Sequence, residues 1–99
     1  MIARHWKGIV EKGKADEYIS HLKKETLETI KHIKGFVKAS ILSRDANSGI
    51  EFLIITEWKD IDAIKQFAGE DYEQAVVPLI AQAMMVSYDQ IVNHYEIHE

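Results

Sequence analysis

The sequence has no cysteine in 99 residues. That excludes disulfides and thiolate metal sites and suits a reducing compartment. Positive charge is scarce, with 12 Lys and Arg against 16 Asp and Glu and a formal net charge of −4. Without a basic face, nucleic-acid binding has no electrostatic footing, and no nucleic-acid partner is expected. No apolar run approaches the roughly 18 residues that suggest a membrane helix, so no membrane role is expected either. Met1 leads directly into Ile2-Ala3-Arg4-His5-Trp6, with no basic start and apolar core, so a signal peptide is not expected and the cytoplasm is. Metal spacing is also missing. His94 and His98 would stand about 13 Å apart on a strand, and His21 and His32 about 16 Å apart on a helix. No HxxxH, dinucleotide-binding glycine loop, P-loop or nucleophile triad occurs, and Met84-Met85 reads as core packing.

What remains is a set of alternating and helical patterns that fit one domain over residues 1–99. A chain this short buries only about 60–70% of its unfolded surface, so a core shared with a second chain is one route to stability. Residues 2–10 alternate, with Ile2, Trp6 and Val10 facing one way and Ala3 and Ile9 the other, as in a strand. Gly13 breaks it. From Lys14 to Lys34 the period is helical, with Ile19, Leu22, Thr26, Ile30 and Ile33 on a buried stripe and Gly35 as a left-handed stop. Phe36–Arg44 reads as a strand with Val37, Ala39 and Ile41 on one face and Phe36, Ser40 and Leu42 on the other. Residues 45–49 form a turn in which Asn47 and Gly49 suit positive φ. Ile50–Trp58 completes an antiparallel hairpin. Its centre, Phe52-Leu53-Ile54-Ile55, is apolar on both faces. A half-wet strand would alternate, so one face should cover helices and the other a second copy of the sheet.

Asp60 reads as the N-cap of a short helix through Ile61, Ile64, Phe67 and Ala68, ended by Gly69. Residues 70–77 suit another helical piece, limited by Pro78, the only proline. Leu79–Met85 fits either helix or strand. Val86–Ile97 closes the chain as a strand, with a bulge or bend at Asp89-Gln90. The order is β-α-β-β-α-β, an antiparallel-sheet, ferredoxin-like α+β domain.

Four stretches carry a more specific likeness. They are Ile2-Ala3-Arg4-His5-Trp6-Lys7-Gly8, Glu51-Phe52-Leu53-Ile54-Ile55-Thr56-Glu57-Trp58, Ala63 through Tyr72, and the terminal His94-Tyr95-Glu96-Ile97. Together they resemble the antibiotic-biosynthesis-monooxygenase-like family of dimeric α+β barrels, in particular its small stand-alone members. The resemblance spans essentially the whole chain. It implies a homodimer whose two sheets meet as a barrel, a pocket between each sheet and its helices, and oxidation of small aromatic substrates by dioxygen with no cofactor. Haem-degrading relatives use a first-strand asparagine, a tryptophan ending the third strand and a histidine on the following helix. Trp58 matches the tryptophan. Trp6 stands where the asparagine would, and no histidine occurs between His32 and His94, which argues against haem degradation.

Within that frame His94 and His5 are the candidate catalytic residues. An imidazole near pKa 6.5 is suited to take a phenolic proton, and the resulting anion reacts with dioxygen. If the terminal strands pair, the two histidines could be neighbours. The alternatives are a structural histidine for His94 and a half-exposed strand residue for His5. Trp58, Trp6 and Tyr72 are candidate pocket walls, or else core. Tyr95 is either a hydrogen-bond donor to ligand or an interface residue. Asp71 either meets a polar ligand group or caps the segment after Gly69. Arg4, if it faces the helices, requires a carboxylate partner or an anionic ligand. The alternative to an enzyme is a non-catalytic dimeric module that binds a small molecule or is purely structural.

Overall fold

β1 (Ile2–Val10), buried on both faces at Ala3 and Arg4, is the centre of the sheet. In the computed structural model, which describes residues 1–99, β1 pairs antiparallel with β3 (Gly49–Trp58), and β3 pairs antiparallel with β2 (Phe36–Ala46). The opposite edge of β1 is shared by β4 (Met85–Tyr88) and β5 (Asn93–Glu96), giving the order β2-β3-β1-β4 with β5 alongside β1. The expected final strand is therefore split in two, bent at Asp89-Gln90 as anticipated. No helix is long and apolar enough to cross a membrane.

The expected long helix is interrupted. A 3-10 turn (Lys12–Lys14) leads into α1 (Ala15–His21), a π-helical turn (Leu22–Thr26) and α2 (Leu27–Ile30). The Leu27 N–H reaches back to the Leu22 carbonyl, five residues away. This wider turn sets Leu22 in one core and Leu27 against the other, and Tyr18 rather than Ile19 is the buried anchor of α1. The helix stops at Ile30, earlier than the period predicts, and Gly35 takes a positive φ of 101° in the following turn. A Cβ there would stand 2.7 Å from the Ala63 Cβ.

β2 opens with a bulge between Phe36 and Lys38. The extra residue reverses the expected facing at the strand's start. Phe36 turns inward against Trp58, with ring centroids 5.3 Å apart, and Val37 is exposed. The hairpin turn is only Asn47-Ser48, and Asn47 does not take positive φ. Gly49 is needed for closeness instead, since a Cβ there would lie 2.3 Å from the Val10 carbonyl oxygen. In α3 (Ile61–Ala68) the Asp60 carboxylate accepts from the Ala63 N–H at 2.9 Å, as a cap should. Residues 70–77 are not helical. They run irregularly back to the sheet, and Gln74 bridges to Ile91. Residues 79–85 resolve into α4 (Leu79–Gln82), a turn and the start of β4.

All helices lie on one face of the sheet, over two separate cores. One gathers Val10, Tyr18, Leu22, Phe52, Ala81 and Met84. The other gathers Ile30, Trp58, Ala63 and Ile64. Between them the inner face of the sheet carries Arg4 and Thr56, which are cross-strand partners.

Candidate functional site

The gap between the two cores is a partly open cavity of about 70 Å³, lined mostly by apolar side chains. Its floor is the inner sheet face, with Arg4, Trp6, Ile54 and Thr56. The roof is the helix pair at its π-helical turn, with Tyr18, His21, Leu22 and Thr26. Phe67 of α3, Ala81 of α4 and Val92 close the sides. Room of this size holds roughly five water molecules. A benzene ring fills a cavity of about 150 Å³, so a ring bound here would extend through the open side.

Arg4 faces the helices and is only 5% exposed. It does not meet a carboxylate. Its Nη1 donates to the Tyr72 carbonyl and lies 2.9 Å from His94 Nε2, and Nη2 makes a longer contact of 3.5 Å to the Gln74 carbonyl. The guanidinium also sits over the Phe67 ring, 5.7 Å from its centroid. Burial draws the Arg4 pKa down to about 10, which leaves it charged at neutral pH. These bonds tie residues 72–74, which have no helix of their own, to the middle of the sheet.

His94 stands directly across from Arg4 on β5. An arginine can only donate, so Nε2 must accept and the ring proton sits on Nδ1. His94 is thus a neutral acceptor behind Arg4, with its ring edge-on to Tyr72 at 5.2 Å, and it does not line the cavity. The structure thus sets His94 behind Arg4 and out of the cavity wall, where a base acting on a bound ligand would stand. Burial and the Arg4 charge hold its pKa below the usual histidine value, against an opposing pull from Glu73. A depressed histidine pKa stabilises the fold fully above the unfolded value near pH 6.5. The contribution is lost as pH falls below that value, until the folded state protonates too. Thermal unfolding temperature should therefore fall on acidification from pH 7.5 to 5.5. His94→Asn should flatten that slope in melts across the range.

The other expected site residues separate. His5 alternates with Arg4 onto the outer sheet face and pairs in register with Asn93, not His94. Its ring lies 5.0 Å from that of Tyr95, which is itself exposed and does not line the cavity. The two histidines are on opposite faces because neighbouring strand positions point opposite ways. Trp6 does line the cavity, and its Nε1 donates to the Asp89 carbonyl at 2.9 Å. Trp58 is fully buried one layer behind, stacked on Phe67 at 6.1 Å, with Nε1 donating to Thr56 Oγ1 at 2.8 Å. It supports two wall residues and is not a wall itself. Tyr72 contributes its carbonyl and the face that packs on His94, outside the cavity lining. Asp71 is exposed and caps no helix, because none follows.

Two residues enter that the sequence reading did not select. Thr56 is buried, and its hydroxyl accepts from Trp58, leaving its own hydrogen to donate. His21 is the more informative. Its Nε2 is buried and has no hydrogen-bond partner, although buried polar atoms are nearly always paired. The same imidazole borders an outer groove beside Glu17, Ser20 and Glu25.

The profile of the family described as antibiotic biosynthesis monooxygenase matches residues 1–79. No curated protein matches the chain. Among solved structures, a conserved protein from Methanosarcina mazei Go1 is similar at 21% identity and a TM-score of 0.70, over 95% of this chain and 89% of that one. SnoaB, a cofactor-independent oxygenase from Streptomyces nogalater, is similar at 17% identity and a TM-score of 0.66, over 99% and 93%. ActVA-Orf6, a monooxygenase of Streptomyces coelicolor bound to nanaomycin D, is similar at 13% identity and a TM-score of 0.62, over 99% and 88%. At these identities the likeness is one of fold.

Proposed function

Because the chain belongs to the antibiotic biosynthesis monooxygenase family, we propose that it is a cofactor-independent monooxygenase of a small phenol or hydroquinone held in this cavity. The observation that carries the reading is the unpartnered, buried Nε2 of His21 in the wall of an apolar cavity whose only permanent charge is Arg4. A phenolic hydroxyl donates to that nitrogen and passes its proton to it. The outer groove at His21 gives the proton a way to solvent. The Arg4 guanidinium faces the negative charge left on the ring, in surroundings where such an interaction is strong. His94 acts through Arg4 as a positioning residue, keeping the guanidinium turned along the cavity floor.

The electron-rich anion then reacts with dioxygen at a ring carbon. A hydroquinone and one dioxygen give a hydroxyquinone and one water, so the substrate supplies all the electrons and the reaction needs no cofactor. The chemistry asked of the protein is to bind, to accept one proton and to shield the anion from water.

The chain works as a homodimer through the helix-free face of its sheet. Ile9, Leu53 and Ile55 stand there half-covered beside the exposed Leu42 and Tyr95. A row of large apolar side chains on one flat face is the usual mark of an interface.

The test is oxygen uptake by metal-stripped protein with a panel of hydroquinones and naphthols. Uptake above autoxidation is expected, and Ala81→Leu, which fills the cavity from α4, should reduce kcat/KM about tenfold or more. Thermal stabilisation by these compounds without oxygen uptake would leave a binding protein and remove the enzyme.

A further inference from the structure

The cavity combines an apolar wall with a cation that nothing neutralises. Six ion pairs form in the protein, and none includes Arg4. Its partners are two carbonyls, a neutral imidazole and an aromatic face. None of them carries the opposite charge that a guanidinium so deeply buried calls for. Of its five N–H donors, Nε–H and one on Nη2 have no acceptor.

A second donor stands beside it. Thr56 is the cross-strand partner of Arg4 on the same inner face. Its oxygen is fixed by the Trp58 indole, so its hydrogen is directed elsewhere. Two adjacent donors, one of them a charged planar fork, match a carboxylate, whose two oxygens accept side by side. The surrounding wall of Trp6, Ile54, Phe67 and Val92 matches a ring. A merely structural strap for residues 72–74 would not need to lie open to a cavity on its other side.

We infer that this cavity recognises its ligand as an anion: Arg4 and Thr56 form a receptor for the carboxylate of a small, single-ring aromatic acid. This deepens the reading above by naming the substrate class, a hydroxylated aromatic acid with its carboxylate on the sheet floor and its hydroxyl at His21. The carboxylate receptor itself does not depend on turnover.

The test is calorimetric titration of the full chain with benzoate, benzamide and benzyl alcohol, which share a ring and differ in charge. Benzoate should bind saturably, one per chain, and benzamide on the order of a hundredfold more weakly. Arg4→Met should remove that preference, Arg4→Lys should keep part of it, and Thr56→Val should weaken benzoate selectively. If Arg4→Met does not fold, the charge preference of the unaltered protein and the effects of Arg4→Lys and Thr56→Val still decide. Equal binding of benzamide and benzoate, or no saturable benzoate binding, would overturn the inference. So would benzoate binding that survives Arg4→Met. Oxygen uptake with neutral hydroquinones but no benzoate binding would remove the carboxylate receptor and leave the oxygenase. Benzoate binding with no oxygen uptake on hydroxybenzoates or hydroquinones would do the reverse.

Discussion

Trp58→Ala is expected to cost about 3–5 kcal/mol of folding stability, a large share of the roughly 5–15 kcal/mol that a small domain has. The indole is fully buried at the end of β3. It packs on Phe36 and Phe67, and its removal opens a hole between the sheet and α3 that rigid neighbours cannot refill. The loss extends to the cavity, because Thr56 loses the donor that fixes its hydroxyl and Phe67 loses its stacking partner. Urea unfolding should show a sharply lower midpoint, and Trp58→Phe should recover much of it. A midpoint for Trp58→Ala close to that of the unaltered protein would mean that this core tolerates collapse.

Ile55→Glu is expected to leave single chains if the outer sheet face forms the proposed dimer interface. Ile55 lies near the middle of the outer sheet face, between His5 on β1 and Ser40 on β2. A carboxylate there exerts little strain on an isolated chain, whose outer face is wet. In a two-fold interface the same substitution occurs twice. Each unpaired buried charge costs about 3–5 kcal/mol, enough to leave single chains at micromolar concentration. Solution mass by light scattering, measured against dilution, reads this directly. An unaltered protein that is a single chain at every concentration would remove the interface altogether.

The sheet was largely legible because alternation is a local property. β1, β3 and the Asp60 cap follow from side chains a few positions apart. The failures trace to insertions that no period reveals. One extra residue in the bulge reversed Phe36 and Val37. One wide helical turn interrupts the expected continuous helix, and its buried anchor is Tyr18 rather than Ile19. Residues 70–77 carry helix-forming side chains, yet the Arg4 bonds to the Tyr72 and Gln74 carbonyls and backbone bonds to Gln90 and Val92 hold them as an irregular run against the sheet.

The candidate site was legible in part for the same reasons. Arg4 was open between a carboxylate partner and an anionic ligand, and the first of these is missing from the fold. His94 was found, but its neighbour across β1 decides its role, and strand register is invisible from one sequence. His21 lies off the predicted apolar stripe, at the end of α1 where the helix roofs the cavity. Thr56 did leave a signal. It is the polar position in the inward series Ile50, Phe52, Ile54, Thr56 and Trp58, and a lone hydroxyl in such a series asks for a partner.

The most direct test of the proposed cofactor-free oxygenation is the fate of isotopically labelled dioxygen given to metal-stripped protein with a hydroquinone. One labelled atom in the hydroxyquinone product and one in water is the predicted result. An unlabelled product, or labelling at the rate of autoxidation alone, would contradict it.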